Sequence, residues 1–170
     1  PTSDQQDSLI KLYNQGHLQQ VLEKASKLMR KFPNSVFLYN IKGAADRGLG
    51  QIDAAIESYK KAIVVKPDYA ESYNNMGNAL QDQGKLEQAI KAFAKALSLK
   101  PDYYEACSNI SLALKDQGKL EEAIKACKKA LSLKPDYAEA YNNMGNALQD
   151  QGKLEEAIKA YNKALSLKPD

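Results

Sequence analysis

The chain has 170 residues, of which 44% are apolar and 26% are charged. The net charge of +3 is too small to predict binding to nucleic acids or membrane surfaces through bulk electrostatics. There is no long apolar run and no secretory signal pattern, and two cysteines are too few for a disulfide framework, so we expect a cytoplasmic protein.

A 34-residue period runs through the whole sequence. It is marked most clearly by the prolines, which recur at Pro33, Pro67, Pro101, Pro135 and Pro169. A fixed period of this length is typical of solenoids built from repeated supersecondary units. We therefore predict one continuous solenoid of five units, over residues 1–35, 36–69, 70–103, 104–137 and 138–170.

The first two units depart from the pattern of the others. The first helix, near Ser3–Gln15, is polar, and we interpret residues 1–35 as a degenerate N-terminal capping repeat with a wettable outer face. In the second unit, Lys42 and Asp46 occupy positions where apolar residues are expected. They are four residues apart on one helix, so we expect them to form an ion pair.

The third unit shows the pattern of a helix pair. Apolar residues recur at three- to four-residue spacing on both sides of the turn at Gly84, and the second helix ends before Pro101. Asp102 followed by Glu105 predicts a capping box for the next helix, and Asp68/Glu71 and Asp136/Glu139 repeat this arrangement.

The last two units carry one substitution and one exposed end. Cys107 and Cys127 stand where the other units have aromatic residues, which predicts two buried thiols, with a disulfide or redox pair as the alternative. No helix follows the one predicted near 154–167, so we expect its apolar stripe to be exposed. The predicted open-end residues are Leu154, Ile158 and Leu165.

These residues resemble the tetratricopeptide repeat family. Its pattern appears in the third unit as Tyr73, Met76-Gly77, Leu80, Ala89, Phe93 and Pro101. The resemblance implies an all-α fold, a right-handed superhelical solenoid of antiparallel helix pairs. The first helix of each pair would line the concave groove.

No catalytic or metal-binding constellation is visible in the sequence. His17 is the only histidine, and it follows a turn glycine without a nucleophile beside it. None of the short motifs that bind metals, nucleotides or phosphates is present. We predict a protein that is not an enzyme and that needs no cofactor.

Amides dominate the polar face of the predicted first helices. Carboxamides both donate and accept hydrogen bonds, which suits the backbone of an extended peptide. Because Glu71, Glu105 and Glu139 leave the groove neutral to acidic, we expect a neutral to basic partner. The candidate contacts are Asn40, Arg47, Asn74, Asn75, Asn78, Gln81, Asn109, Lys115, Asn142, Asn143, Asn146 and Gln149.

The column formed by Asn75, Asn109 and Asn143 resembles the asparagine ladder of O-linked N-acetylglucosamine transferases and of related bacterial repeat proteins. By that resemblance it would hold a peptide backbone, and the alternative is that duplication copied a soluble residue. On the first reading, each Asn→Ala change weakens binding by about 1 kcal/mol and leaves folding stability nearly unchanged.

Two further functions stay open at the level of sequence. One is a structural scaffold that self-associates through its exposed C-terminal helix. The other is a substrate-recruiting module of a larger glycosyltransferase-like enzyme.

Overall fold

A computed structural model describes residues 1–168, so Pro169, the last proline of the repeat series, lies outside the described residues. Over that range the chain forms ten α-helices and no strand, which confirms the all-α class. The helices are α1 (Ser3–Asn14), α2 (Leu18–Met29), α3 (Val36–Gly48), α4 (Ile52–Val65), α5 (Ala70–Asp82), α6 (Leu86–Leu99), α7 (Tyr104–Asp116), α8 (Leu120–Leu133), α9 (Ala138–Asp150) and α10 (Leu154–Leu167). None of these helices is both long and apolar enough to cross a membrane.

Glycine and proline set the helix ends, as the period predicts. Gly84 follows α5 with a φ of +72°, and the equivalent glycine of every other repeat also has a positive φ. That left-handed conformation favours glycine, because a Cβ atom would strain it. The second helices end where Lys66, Lys100 and Lys134 turn out of the helical region before a proline.

The predicted capping boxes are wrong. Tyr69, Tyr103 and Tyr137 are the N-caps of α5, α7 and α9, and none of them makes a side-chain capping bond. The helices begin one residue later than the Asp–Glu spacing requires, so each aspartate lies outside the cap position. The capping box that does form joins Thr2 and Gln5 at the start of α1.

The chain divides into two compact units, Pro1–Gly84 and Lys85–Asp170. Unit one contains α1 to α5, and its core between α1, α2 and α3 includes Leu9, Val21 and Leu38, which are fully buried. Its predicted Lys42–Asp46 pair is confirmed, with Nζ and Oδ2 2.7 Å apart. The Asp46 carboxylate is buried beside Ser58 of α4, whose hydroxyl lies 3.4 Å from it.

Unit two contains α6 to α10, and α9 packs against both α8 and α10. The core there is built from small and aliphatic residues, including Ala123, Ile124 and Leu148. Both thiols are buried and free, as the first of the two sequence interpretations expects.

Candidate peptide-binding face

The first helices present one polar surface in each unit, which we call the first-helix face: α1, α3 and α5 in unit one, and α7 and α9 in unit two. In unit one this face contains a cavity of about 290 Å³. Arg47 and Asn75, two predicted contacts, line it together with Tyr13, Tyr59 and Asp82.

The predicted ladder residue of unit one is engaged in a hydrogen bond between helices. Asn75 of α5 donates through Nδ2 to Asn40 Oδ1 of α3 over 3.2 Å. Asn40 in turn donates to Ser72 Oγ over 2.8 Å, and Ser72 is fully buried. The amides therefore hold neighbouring repeats together, in addition to lining the face.

Unit two repeats this arrangement at the same spacing. Asn143 of α9 donates through Nδ2 to Ser108 Oγ of α7 over 3.0 Å, and Ser108 is fully buried. Ser108 takes the place that Asn40 has in unit one, 35 residues before the donor in both cases. We therefore revise the expectation that Asn→Ala changes leave stability unchanged, because at Asn75 and Asn143 each change would delete a partly buried hydrogen bond.

Each of the two predicted cations of the face forms an ion pair with an aspartate that lies 35 residues further along the chain. Arg47 Nε lies 2.5 Å from Asp82 Oδ2, and this bond, with the Asp82 charge, raises the pKa of Arg47. Lys115 Nζ lies 3.2 Å from Asp116 Oδ1 and 3.9 Å from Asp150 Oδ2. Neither cation is a free clamp for an acidic partner.

The other predicted contacts differ in their access to solvent. Asn74 is only 5% exposed, so its assignment as a groove contact is wrong: a buried amide offers no surface to a peptide. The Tyr161 hydroxyl lies 2.8 Å from Asn146 Oδ1 and 2.9 Å from Gln149 Oε1. The exposed amides are Asn142, Asn146 and Gln149, and the partly buried ones are Asn40, Asn75, Asn78, Gln81, Asn109 and Asn143.

Tyrosine hydroxyls belong to this face, and the sequence reasoning missed them. The repeat pattern reserves the positions of Tyr59 and Tyr161 for helix packing, where phenylalanine serves as well. Tyr59 is 1% exposed, and burial raises the pKa of its hydroxyl. The sequence does contain a signal for this role, because Tyr59 and Tyr161 stand where the third repeat has Phe93. A buried tyrosine hydroxyl needs a polar neighbour, which phenylalanine does not.

The described residues contain no group of three His, Cys, Asp or Glu side chains that could hold a metal ion. His17 is exposed at the start of α2.

The outer surface of α10 carries the predicted apolar stripe. Leu154, Ile158 and Leu165 are 59%, 58% and 60% exposed. One repeat earlier, Ile124 is 8% exposed, because α9 packs over α8.

Two models of protein families match the chain. One described as TPR repeat matches residues 43–84 and 112–152, and one described as tetratricopeptide repeat matches 70–103 and 138–170. Comparison with curated protein sequences gives no match.

Solved structures with the same fold cover almost the whole chain. MamA is 30% identical with a TM-score of 0.78, over 94% of this chain and 93% of MamA. TTC0263, a thermophilic TPR protein from Thermus thermophilus, is 22% identical with a TM-score of 0.86, over 98% and 91%. YrrB, described as a TPR protein with an unusual peptide-binding site, is 19% identical with a TM-score of 0.71, over 100% and 88%.

Proposed function

This chain belongs to the tetratricopeptide repeat family, a family of protein-interaction modules, and we propose that it binds an extended, neutral to basic peptide on its first-helix face without catalysing a reaction. The observation that carries the proposal is the cavity of unit one, where Arg47, Asn75 and Tyr13 meet. YrrB, a protein of the same fold, is described as having a peptide-binding site.

The chemistry of the face favours a peptide backbone as the ligand. Asn75 uses one amide hydrogen on Asn40, and a carboxamide has a second N–H and an acceptor oxygen to offer. The nearby cation Arg47 is paired with Asp82, so fixed charge does not select an acidic ligand. Lys115 supplies one positive charge against the two carboxylates of Asp116 and Asp150, and this excess of negative charge favours a neutral or basic ligand.

The test is selection from a library of unstructured peptides on the wild type and on Asn75→Ala. We expect peptides enriched on the wild type to bind Asn75→Ala about fivefold more weakly, the value of one hydrogen bond. The matched control is Ser72→Ala, which deletes the buried acceptor of Asn40 in the same hydrogen-bond network and keeps every side chain that lines the cavity. Equal loss with both variants, or no enrichment, would sink the proposal.

A second candidate function is self-association through α10. The supporting observation is the exposed stripe of α10, and Asn142 of α9 is exposed as well. Asn142 is equivalent to Asn40 and Ser108, both of which accept a hydrogen bond from the next repeat. A second copy would bury the same apolar positions that repeats bury between themselves.

Sedimentation over a range of concentrations tests this candidate. We expect a rising average mass for the wild type and a monomer for Ile158→Lys, because a charge in the stripe would have to be desolvated. Lys159→Ala, one residue further along α10, is the control and should associate like the wild type. A wild type that stays monomeric at the highest concentration contradicts the candidate.

A further inference from the structure

A second cavity, of about 320 Å³, lies in unit two and away from the first-helix contacts described above. It is bounded by α8, α9 and α10. Its apolar lining includes Ile124, Met144, Leu148 and Ala160, which belong to or pack against the core of the unit. A floor of this kind favours an aliphatic or aromatic side chain as occupant.

Lysines surround this floor. Lys128 of α8, Lys153 at the N-cap of α10 and Lys159 of α10 line the cavity, with Glu156 as the one carboxylate. All three lysines are exposed, and within residues 1–168 none of their ammonium groups has an ion pair or a hydrogen bond. Two other lysines of unit two are engaged: Lys115 pairs with Asp116 and Asp150, and Lys134 lies over two tyrosine rings.

From this combination we infer that the α8–α10 cavity is a docking site for an acidic peptide segment that inserts one apolar side chain. The three lysines carry three positive charges, and Glu156 carries the one negative charge in the lining. Carboxylates on the peptide, beside the inserted side chain, would therefore pair with the remaining lysines. The volume lies at the lower end of ligand pockets, which suits a single side chain. The preferred charge is opposite to that of the first-helix face, so the two sites would select different segments.

The repeat one period earlier lacks two residues of the site. A shift of 34 residues places Ala94 where Lys128 lies and Cys107 where Tyr141 lies. The equivalent position therefore lacks one lysine and the aromatic wall.

The first test measures binding of a fluorescein-labelled peptide in which glutamates flank a Leu-Phe pair. We expect Lys128→Ala/Lys153→Ala/Lys159→Ala to lower its affinity about tenfold, because three partly screened ion pairs are lost. Lys125→Ala/Lys129→Ala/Lys163→Ala removes the same charge from α8 and α10 outside the cavity and should have less than about a twofold effect. All six lysines are exposed, so both triple variants should fold.

A second measurement reports on the floor directly. The chain has three methionines, Met29, Met76 and Met144, and only Met144 lines this cavity. In a spectrum of labelled methionine methyl groups, the acidic Leu-Phe peptide should shift the Met144 signal and leave unchanged that of Met29, which packs against the core of unit one. A peptide with Ser-Ser in place of Leu-Phe should shift none of them.

Three outcomes would overturn the inference. Equal losses in the two triple variants would show general charge attraction, and equal binding of the Ser-Ser peptide would show that nothing enters the cavity. Equal competition by single-stranded DNA would assign the lysines to nucleic acid. Asn75→Ala should leave binding of the acidic Leu-Phe peptide unchanged. The inference about the α8–α10 cavity and the first-helix proposal can therefore fail independently of each other.

Discussion

In the fourth repeat, Ser111 and Cys127 together replace a glycine and a tyrosine. In the fifth repeat the same positions are Gly145 and Tyr161, and a methyl group on Gly145 would lie 2.5 Å from Tyr161 Cε1. The second repeat has the same close approach between Gly43 and Tyr59. A side chain on the first helix therefore requires a smaller residue than tyrosine on the second, which explains the thiol without a redox role.

We predict that Cys127→Tyr lowers the free energy of unfolding by about 1–3 kcal/mol, because the ring would overlap Ser111. Ser111→Gly/Cys127→Tyr recreates the pair of the fifth repeat and should recover most of that loss. Denaturant titration of the wild type, both single variants and the double variant measures the coupling. Additive single effects would contradict this explanation of the cysteine.

The Cys127 thiol should also make stability depend on pH. Burial raises its pKa from 9.0 to about 11, against the opposing effect of a hydrogen bond with Ser111. Because the folded-state pKa lies above the unfolded one, the stabilising contribution is complete below about pH 9. It is lost as the pH rises to about 11.

We therefore expect the wild type to lose roughly 2 kcal/mol more stability than Cys127→Ala between those two pH values. All other ionisable groups are common to both proteins, so their contributions cancel in the difference. Parallel stability curves for the two proteins would contradict a buried, protonated thiol.

At the scale of helices, hydrogen bonds across a 35-residue step tie one first helix to the next. Asn143 of α9 and Asn146, one turn further along, are both amides in the predicted site, but only Asn143 bonds to a buried side chain. We predict that Asn143→Ala lowers the free energy of unfolding by about 1 kcal/mol. Asn146→Ala should change it by less than about 0.5 kcal/mol. Equal effects in thermal unfolding would refute the structural role of Asn143.

The same comparison shows what the sequence could and could not predict. The proline and glycine period predicted the helix pairs, because those residues end helices through their own backbone geometry. The last helix, expected near 154–167, is α10, Leu154–Leu167. Burial of Asn74 and the contact of Asn75 with Asn40 could not be predicted, because they depend on packing between repeats. Amide periodicity alone does not distinguish a ligand contact from a repeat contact.

At the scale of the whole molecule, the stability of a repeat protein is approximately a sum of contributions from each repeat and its neighbours. A destabilising substitution should therefore affect mainly the repeats near it. Gly43→Ala in unit one and Gly145→Ala in unit two offer a matched pair. Each would place a methyl group within 2.6 Å of a tyrosine ring atom in its own unit. We predict that hydrogen exchange rises mainly in α3 and α4 for the first variant, and mainly in α9 and α10 for the second.

The contrast between the two variants is the decisive measurement. If the chain unfolded in one cooperative step, both substitutions would raise exchange equally in the most protected amides of every helix. A local response would mean that each unit can lose structure while the other keeps it. A partner bound to one unit would then stabilise that unit first, and the site of binding could be located from the protection it confers.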